Sequence, residues 1–302
     1  MQELGPQVVA DATAARARGT TAEEEDQPLV SIVVPTSNRA DYLAVALASF
    51  AGQEPAHEVI VVDDGSADAT PRVAVEAGAR LIRHDPPRGA NAARNAGIAA
   101  AQAELVVLVD DDVEAPQGWL AALVDGAQRH PEAEAFGGPI RARLEGPAPG
   151  SCGRELPPIT TLDLGPADRE AELVWSANML LRRAAVERVG GFDEELPTGG
   201  DEEEWLRRLR AAGGRVVYLA AAGLDHRRAG DDARLRSLMR SAYHRGRNLR
   251  AWDRRRGAAP SLGRELRVLA GCGWHTLRRA CPQGLVMGAH SAGRAMEAVR
   301  PR

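Results

Sequence analysis

Glu104-Leu105-Val106-Val107-Leu108-Val109-Asp110-Asp111-Asp112 is an unbroken run of leucine and β-branched residues closed by three carboxylates. A run this short and this apolar predicts a strand buried on both faces, as in a mostly parallel α/β sheet. The carboxylates cannot continue into that core, because an isolated buried charge is too costly. They belong at the carboxyl edge of the sheet, where open α/β folds bind their ligands. Crowded carboxylates repel one another, and a divalent cation relieves the repulsion. Oxygen ligands favour magnesium or manganese, and such a cation in turn favours a diphosphate. An acidic turn after a strand is the competing explanation of the three aspartates taken alone.

Upstream, residues 29–34 form a second apolar run, ended by Pro35-Thr36-Ser37-Asn38-Arg39. Proline stops the strand and the small polar residues turn the chain. Residues 41–50 carry apolar side chains at helical spacing. No glycine stands in this first turn, which argues against a dinucleotide-binding fingerprint. Val59-Ile60-Val61-Val62 is the next strand and ends in Asp63-Asp64-Gly65-Ser66. Gly65 permits a tight turn, and Ser66 or Asp68 can start the following helix. A short strand at 80–83 and a helix opening at 89–97 precede the run quoted first. Strands alternating with helices predict right-handed parallel crossovers, so two separate strands deliver carboxylates to one edge.

Val30-Ser31-Ile32-Val33-Val34-Pro35-Thr36, Val61-Val62-Asp63-Asp64-Gly65-Ser66, Ala93-Arg94-Asn95-Ala96-Gly97 and Val109-Asp110-Asp111-Asp112 together resemble the successive signatures of family 2 glycosyltransferases. The resemblance covers about residues 29–228. It implies the GT-A fold, an α/β domain with a mostly parallel central sheet flanked by helices. That domain is expected at 28–228, with its nucleotide-binding half at 28–112 and its acceptor and catalytic half at 113–228. By the same resemblance Pro35, Thr36 and Ser37 line the nucleoside pocket. Asp64 accepts the imide N–H of uracil or thymine, Arg94 holds that side of the pocket, and Asp110 binds the ribose. Asp111 belongs to the same donor-binding set, and Asp112 ligates Mn2+ or Mg2+ as the last carboxylate of a D-x-D motif. A carboxylate is acceptor-only and suits an imide donor or ribose hydroxyls. The plainer roles are a helix cap for Asp64 and a surface salt bridge for Arg94.

In the second half, residues 119–129 predict an amphipathic helix and 135–140 a strand running into a break. Residues 144–172 show little pattern. Gly190-Gly191-Phe192-Asp193-Glu194 and Gly200-Asp201-Glu202-Glu203-Glu204 extend the resemblance. The family shows Glu-Asp at the second of these, with the aspartate as catalytic base. Here the order is Asp-Glu, so the base is Glu202 or Asp201. Helix-dipole stabilisation is the alternative for this acidic run, and the two roles are compatible. A last strand is expected at 215–219, followed by Asp225-His226-Arg227-Arg228. His226 resembles the third protein ligand of the metal, with a plain surface histidine as the alternative, and Arg227 and Arg228 suit a diphosphate.

All 38 residues in the combined lysine and arginine count are arginine, and the formal net charge is -4. The absence of lysine excludes a Walker A loop, a Schiff base, the kinase strand lysine and a phosphoacceptor receiver domain. The charge gives no reason to expect nucleic acid as a partner. Cys152, Cys272 and Cys281 lack metal-ligand spacing and read as unpaired thiols of a reducing compartment. No signal sequence or membrane-spanning run is evident, which makes the cytoplasm the expected location, with the inner membrane face as a variant. Residues 1–27 read as a disordered tail. Residues 229–302 read as an arginine-rich extension with helical patterns at 231–256 and 262–279. These helices either form a lid with a solvated arginine face or dock on an anionic membrane or a lipid-linked acceptor.

The expectation is a metal-dependent inverting glycosyltransferase that uses a UDP- or dTDP-sugar and an acceptor hydroxyl. Its competitors are a nucleotidyltransferase, which would want a glycine-rich basic loop after the first strand, and a sugar-nucleotide-binding protein that has lost catalysis.

Overall fold

The computed structural model describes residues 28–146, 149, 150, 160–196 and 199–300. The tail expected at 1–27 and Cys152 lie outside the described residues. In chain order the first half comprises β1 (Val30–Thr36), α1 (Ala40–Phe50), β2 (His57–Asp64), α2 (Thr70–Glu76), β3 (Arg80–His84), α3 (Ala90–Ala100), β4 (Leu105–Leu108), β5 (Val113–Glu114) and α4 (Trp119–Arg129). The second half adds β6 (Ala135–Gly137), β7 (Ile140–Glu145), β8 (Arg169–Glu170), β9 (Met179–Arg182), α5 (Arg183–Val189), α6 (Asp201–Ala211), β10 (Val216–Tyr218) and β11 (Leu224–Ala229). Three helices follow, α7 (Leu235–Arg255), α8 (Leu262–Arg279) and α9 (Gln283–Ala298).

The main sheet has the order β3-β2-β1-β4-β9-β6-β10-β8. β1 runs parallel to both β2 and β4, so the carboxyl ends of all three open on one edge. Its side chains alternate between two cores. Val30, Ile32 and Val34 meet Leu43, Phe50, Trp119 and Leu123 from α1 and α4. Val33 meets Ala93, Trp205 and Leu209 from α3 and α6 on the other face. Burial on both faces is why these strands read as unbroken apolar runs. Gly65 turns β2 towards α2 at φ +74°, a conformation glycine takes without a Cβ penalty.

β9 is antiparallel to both β4 and β6, inserted between the two halves. The break expected at 135–140 is a change of sheet: the chain leaves β6 and enters β7 in a small second sheet of order β5-β11-β7. β11 is a strand that its run of polar residues at 225–228 concealed. It pairs antiparallel with β5, placing His226 opposite Val113, and the Arg227 N–H donates to the Asp112 carbonyl at 2.7 Å.

The extension holds one helix more than the two expected. The glycines of α9 depress its helix propensity, yet they serve packing. A Cβ on Gly246 of α7 would lie 2.0 Å from the His290 carbonyl oxygen, and one on Gly293 of α9 would lie 2.1 Å from that of Tyr243. The backbones of α7 and α9 therefore cross in direct contact.

Candidate active site

A cleft of about 1010 Å³ opens over the carboxyl ends of β1, β2 and β4. Pro35, Thr36, Ser37, Asp64, Arg94, Asp110, Asp111, Asp112, Asp201, Glu202 and His226 all line it. Residues from both halves of the chain, expected to work together, thus share one wall.

Asp64 ends β2. Its Oδ1 accepts from His84 Nδ1 at 2.9 Å and the Arg88 N–H at 2.8 Å, and its Oδ2 accepts from the Gly89 N–H at 2.8 Å. Burial pushes the carboxyl up, but these donors outweigh it and hold Asp64 below its ordinary value. Of about four acceptor positions on a carboxylate, one on Oδ2 remains for a ligand. Asp68 supports the turn after β2, accepting from the Thr70 N–H at 2.9 Å.

The three aspartates diverge. Asp111 turns back into the fold, accepting from Thr36 Oγ1 at 2.7 Å and pairing with Arg39 at 3.1 Å. Asp110, part-exposed, has Oδ1 4.0 Å from Arg94 and Oδ2 3.9 Å from His226 Nε2. Asp112 is buried, with Oδ1 2.8 Å from His226 Nε2 and Oδ2 2.9 Å from Arg39 and 3.6 Å from Arg228. Burial raises an acid, but the His226 imidazole and the two guanidiniums hold Asp112 well below the usual carboxylate range. Alternation along β11 aims His226 and Arg228 at this cluster, while Arg227 turns away to pair with Glu145 at 2.7 Å.

Asp110, Asp112 and His226 offer ligand atoms within 4.8 Å of one another. Asp112 Oδ1 is buried and has no hydrogen-bond partner among the described residues despite its nearness to His226. Asp112 Oδ1 and His226 Nε2 stand 2.8 Å apart, close to the separation of about 3 Å between neighbouring ligands held at about 2.1 Å from a cation. Two carboxylates and an imidazole suit manganese or magnesium chemically.

Across the sequence from that cluster, Asp201 and Glu202 begin α6. Asp201 accepts from Arg94 and, through Oδ1, from the Gly199 N–H at 2.7 Å. Burial pushes it up, but the Arg94 guanidinium and these hydrogen bonds hold it below its ordinary value. Glu202 accepts from Ser176 Oγ at 2.6 Å. Its burial and the neighbouring Asp201 charge push it up to about 7. Arg94 therefore spans two sites: it pairs with Asp201 and faces Asp110.

Several contributors carried no local signal. Arg39 read as a turn residue, Ser176 as a small residue before a strand. The far wall is α7, which presents Ser237, Arg240, Ser241, His244 and Asn248 to the cleft. Their i, i+4 spacing, opposite buried Leu238, Ala242 and Gly246, was the available clue. Thr160 and Thr161 also line the cleft, in the interval where no residue could be placed from sequence.

The α/β architecture carries this cleft at the strand ends, and residues 31–190 match the model of glycosyl transferase family 2. The chain belongs to that family. It is 33% identical over 234 residues to the pre-mycofactocin glycosyltransferase of Mycobacterium tuberculosis, covering 73% of this chain and 47% of that protein. It is 27% identical over 269 residues to the N-acetylglucosaminyl-diphospho-decaprenol L-rhamnosyltransferase of the same organism, covering 76% of this chain and 85% of that one. The chain spans about half the length of the first of these relatives. Among solved structures it shares its fold with the Pyrobaculum calidifontis mannosyltransferase PcManGT in complex with GDP-Man and Mn2+, at a TM-score of 0.64 and 17% identity, over 90% of this chain and 87% of that one. The fold is GT-A.

Proposed function

We propose that the chain is a metal-dependent, inverting glycosyltransferase moving a sugar from a UDP- or dTDP-sugar to an acceptor hydroxyl, with Glu202 as the base. The observation carrying this is a cleft-lining carboxyl raised to about 7 beside a second carboxylate kept ionised by Arg94. A general base works best when its pKa lies near the working pH. Asp201 has its two oxygens engaged by Arg94 and Gly199, so its part is to position and tune Glu202.

Glu202 takes the hydroxyl proton as the acceptor oxygen bonds to the anomeric carbon. The bond from that carbon to the diphosphate oxygen breaks, and its electron pair leaves with the nucleoside diphosphate. A single displacement inverts the centre. Asp112 and His226, with Asp110, would hold Mn2+ or Mg2+, which supplies positive charge to the leaving diphosphate when bound. Arg228 adds a guanidinium on the same side. The remaining acceptor position of Asp64 suits a ring N–H donor such as the imide of uracil or thymine. Pro35, Thr36 and Ser37 line the approach to it.

The test is thermal stability with UDP, dTDP and GDP, each with and without manganese, since ligands that bind only the native state raise the melting temperature. We expect a manganese-dependent rise with UDP or dTDP that Asp112→Ala removes. No rise with any nucleotide would contradict the proposal. Binding without turnover of any UDP- or dTDP-sugar would leave only a binding protein.

A further inference from the structure

We infer that the outer face of α8 is a docking surface for an anionic lipid membrane. The buried side of α8 is Glu265 and Cys272, packed towards α9. Its opposite side carries Leu262, Leu266, Trp274 and Leu277, spaced four, eight and three residues apart with Ala270 filling the middle turn. This spacing sets them on one stripe of a helix. They are 38%, 49%, 64% and 81% exposed, an unusual amount of large apolar surface for one helix.

The charges around the stripe have a single sign. Between Gly257 and Arg300 the only carboxylates are Glu265 and Glu297. Both are buried and occupied: Glu265 accepts from Arg250 at 3.2 Å and Arg294 at 2.9 Å, and Glu297 from Arg247 at 3.2 Å and Arg254 at 3.0 Å. Arg264, Arg267, Arg278 and Arg279 stand exposed, and among the described residues no carboxylate lies within ion-pair distance of them. Arg267 and Arg278 follow Trp274 within about 40° on the wheel of the helix, along one border of the stripe.

An apolar stripe carrying tryptophan and bordered by arginine is the pattern of a helix lying in the membrane interface, where the stripe enters the acyl boundary and the guanidiniums meet lipid phosphates. A second copy of the chain is the weaker match. A two-fold pairing of α8 on itself would bring the same arginines together with no carboxylate to answer them. An anionic leaflet supplies that counter-charge along the whole helix.

The experiment is flotation of the full chain with vesicles of phosphatidylcholine alone and of phosphatidylcholine mixed with phosphatidylglycerol. We expect at least about tenfold more protein on the anionic vesicles. Leu266→Ser with Leu277→Ser, and separately Arg267→Glu with Arg278→Glu, should each lower that binding about tenfold or more at an unchanged melting temperature, because every one of these side chains is exposed. Wild type that stays in solution overturns the inference, as does binding that survives both pairs of substitutions. Self-association in solution that the leucine substitutions abolish, with no vesicle binding, would reassign the face to a second copy and overturn it too.

Discussion

Asp112 and Glu202 are both buried carboxyls in the wall of one cleft, and they stand at opposite ends of carboxylic acidity. Asp112 has His226, Arg39 and Arg228 around it, and these outweigh its burial. Glu202 has a single guanidinium nearby, and Arg94 spends that guanidinium on Asp201. Burial is common to the two sites, so it does not separate them. The cations that face each one do. Asp112 meets three, stays charged and suits a metal or a phosphate-bearing ligand, while its neighbour Asp111, with Arg39 alone against its burial, is pushed up to about 7. Glu202 shares one guanidinium with Asp201 and is left near neutral pH, able to take a proton.

The largest expected effect comes from removing the proton acceptor while keeping its shape. Glu202→Gln should lower turnover about 10²- to 10⁴-fold with donor affinity unchanged, as measured by steady-state kinetics and nucleotide titration. Equal losses at both would show that Glu202 binds and does not act as a base. The same variant tests the acidity itself. Glu202 has a folded pKa above its unfolded one, so its contribution to stability is present at low pH and lost as pH rises through about 7. Glutamine cannot lose a proton. The variant should therefore gain stability over wild type above pH 7, and an unchanged difference across the range would sink the assignment.

Next in size is Arg94→Met, which leaves Asp201 buried without its cation. The side chains of the pair are 8% and 1% exposed, so solvent screens little. A loss of about 3–5 kcal/mol in unfolding free energy is expected from denaturant titration. A loss of only a few tenths would mean that Asp201 finds another partner, and the contrast between the two carboxylate sites would weaken.

Much of the cleft wall at the strand ends was legible in the sequence. The run ending in Asp110-Asp111-Asp112 and the run ending in Asp63-Asp64 are apolar throughout because β4 and β2 are covered on both faces, and parallel strands put their ends on one edge. Asp201 and Glu202 were recognisable at a helix start. Choosing between them required Arg94 and Ser176, which lie 107 and 26 residues away from their respective partners. β11 was not legible because Leu224-Asp225-His226-Arg227-Arg228-Ala229 is a mostly polar strand, with one side on the cleft and the other on Glu145. α7 looked like a solvated arginine helix. Its polar stripe faces the cleft instead, and only tertiary packing distinguishes the two. The small residues of α9 resembled no helix face at all until Gly246 and Gly293 met across the crossing.

The smallest effect is also the most direct test of the central claim, that the Asp201 charge adds to burial in raising Glu202. The measurement is the pH dependence of kcat for donor turnover in wild type and Asp201→Asn. Wild type should show an acid limb centred at about 7, rising with pH as Glu202 ionises. In Asp201→Asn the neighbouring negative charge is gone, so the limb should move to lower pH. A limb that stays in place in the variant, or a wild-type profile flat through pH 7, would contradict the claim.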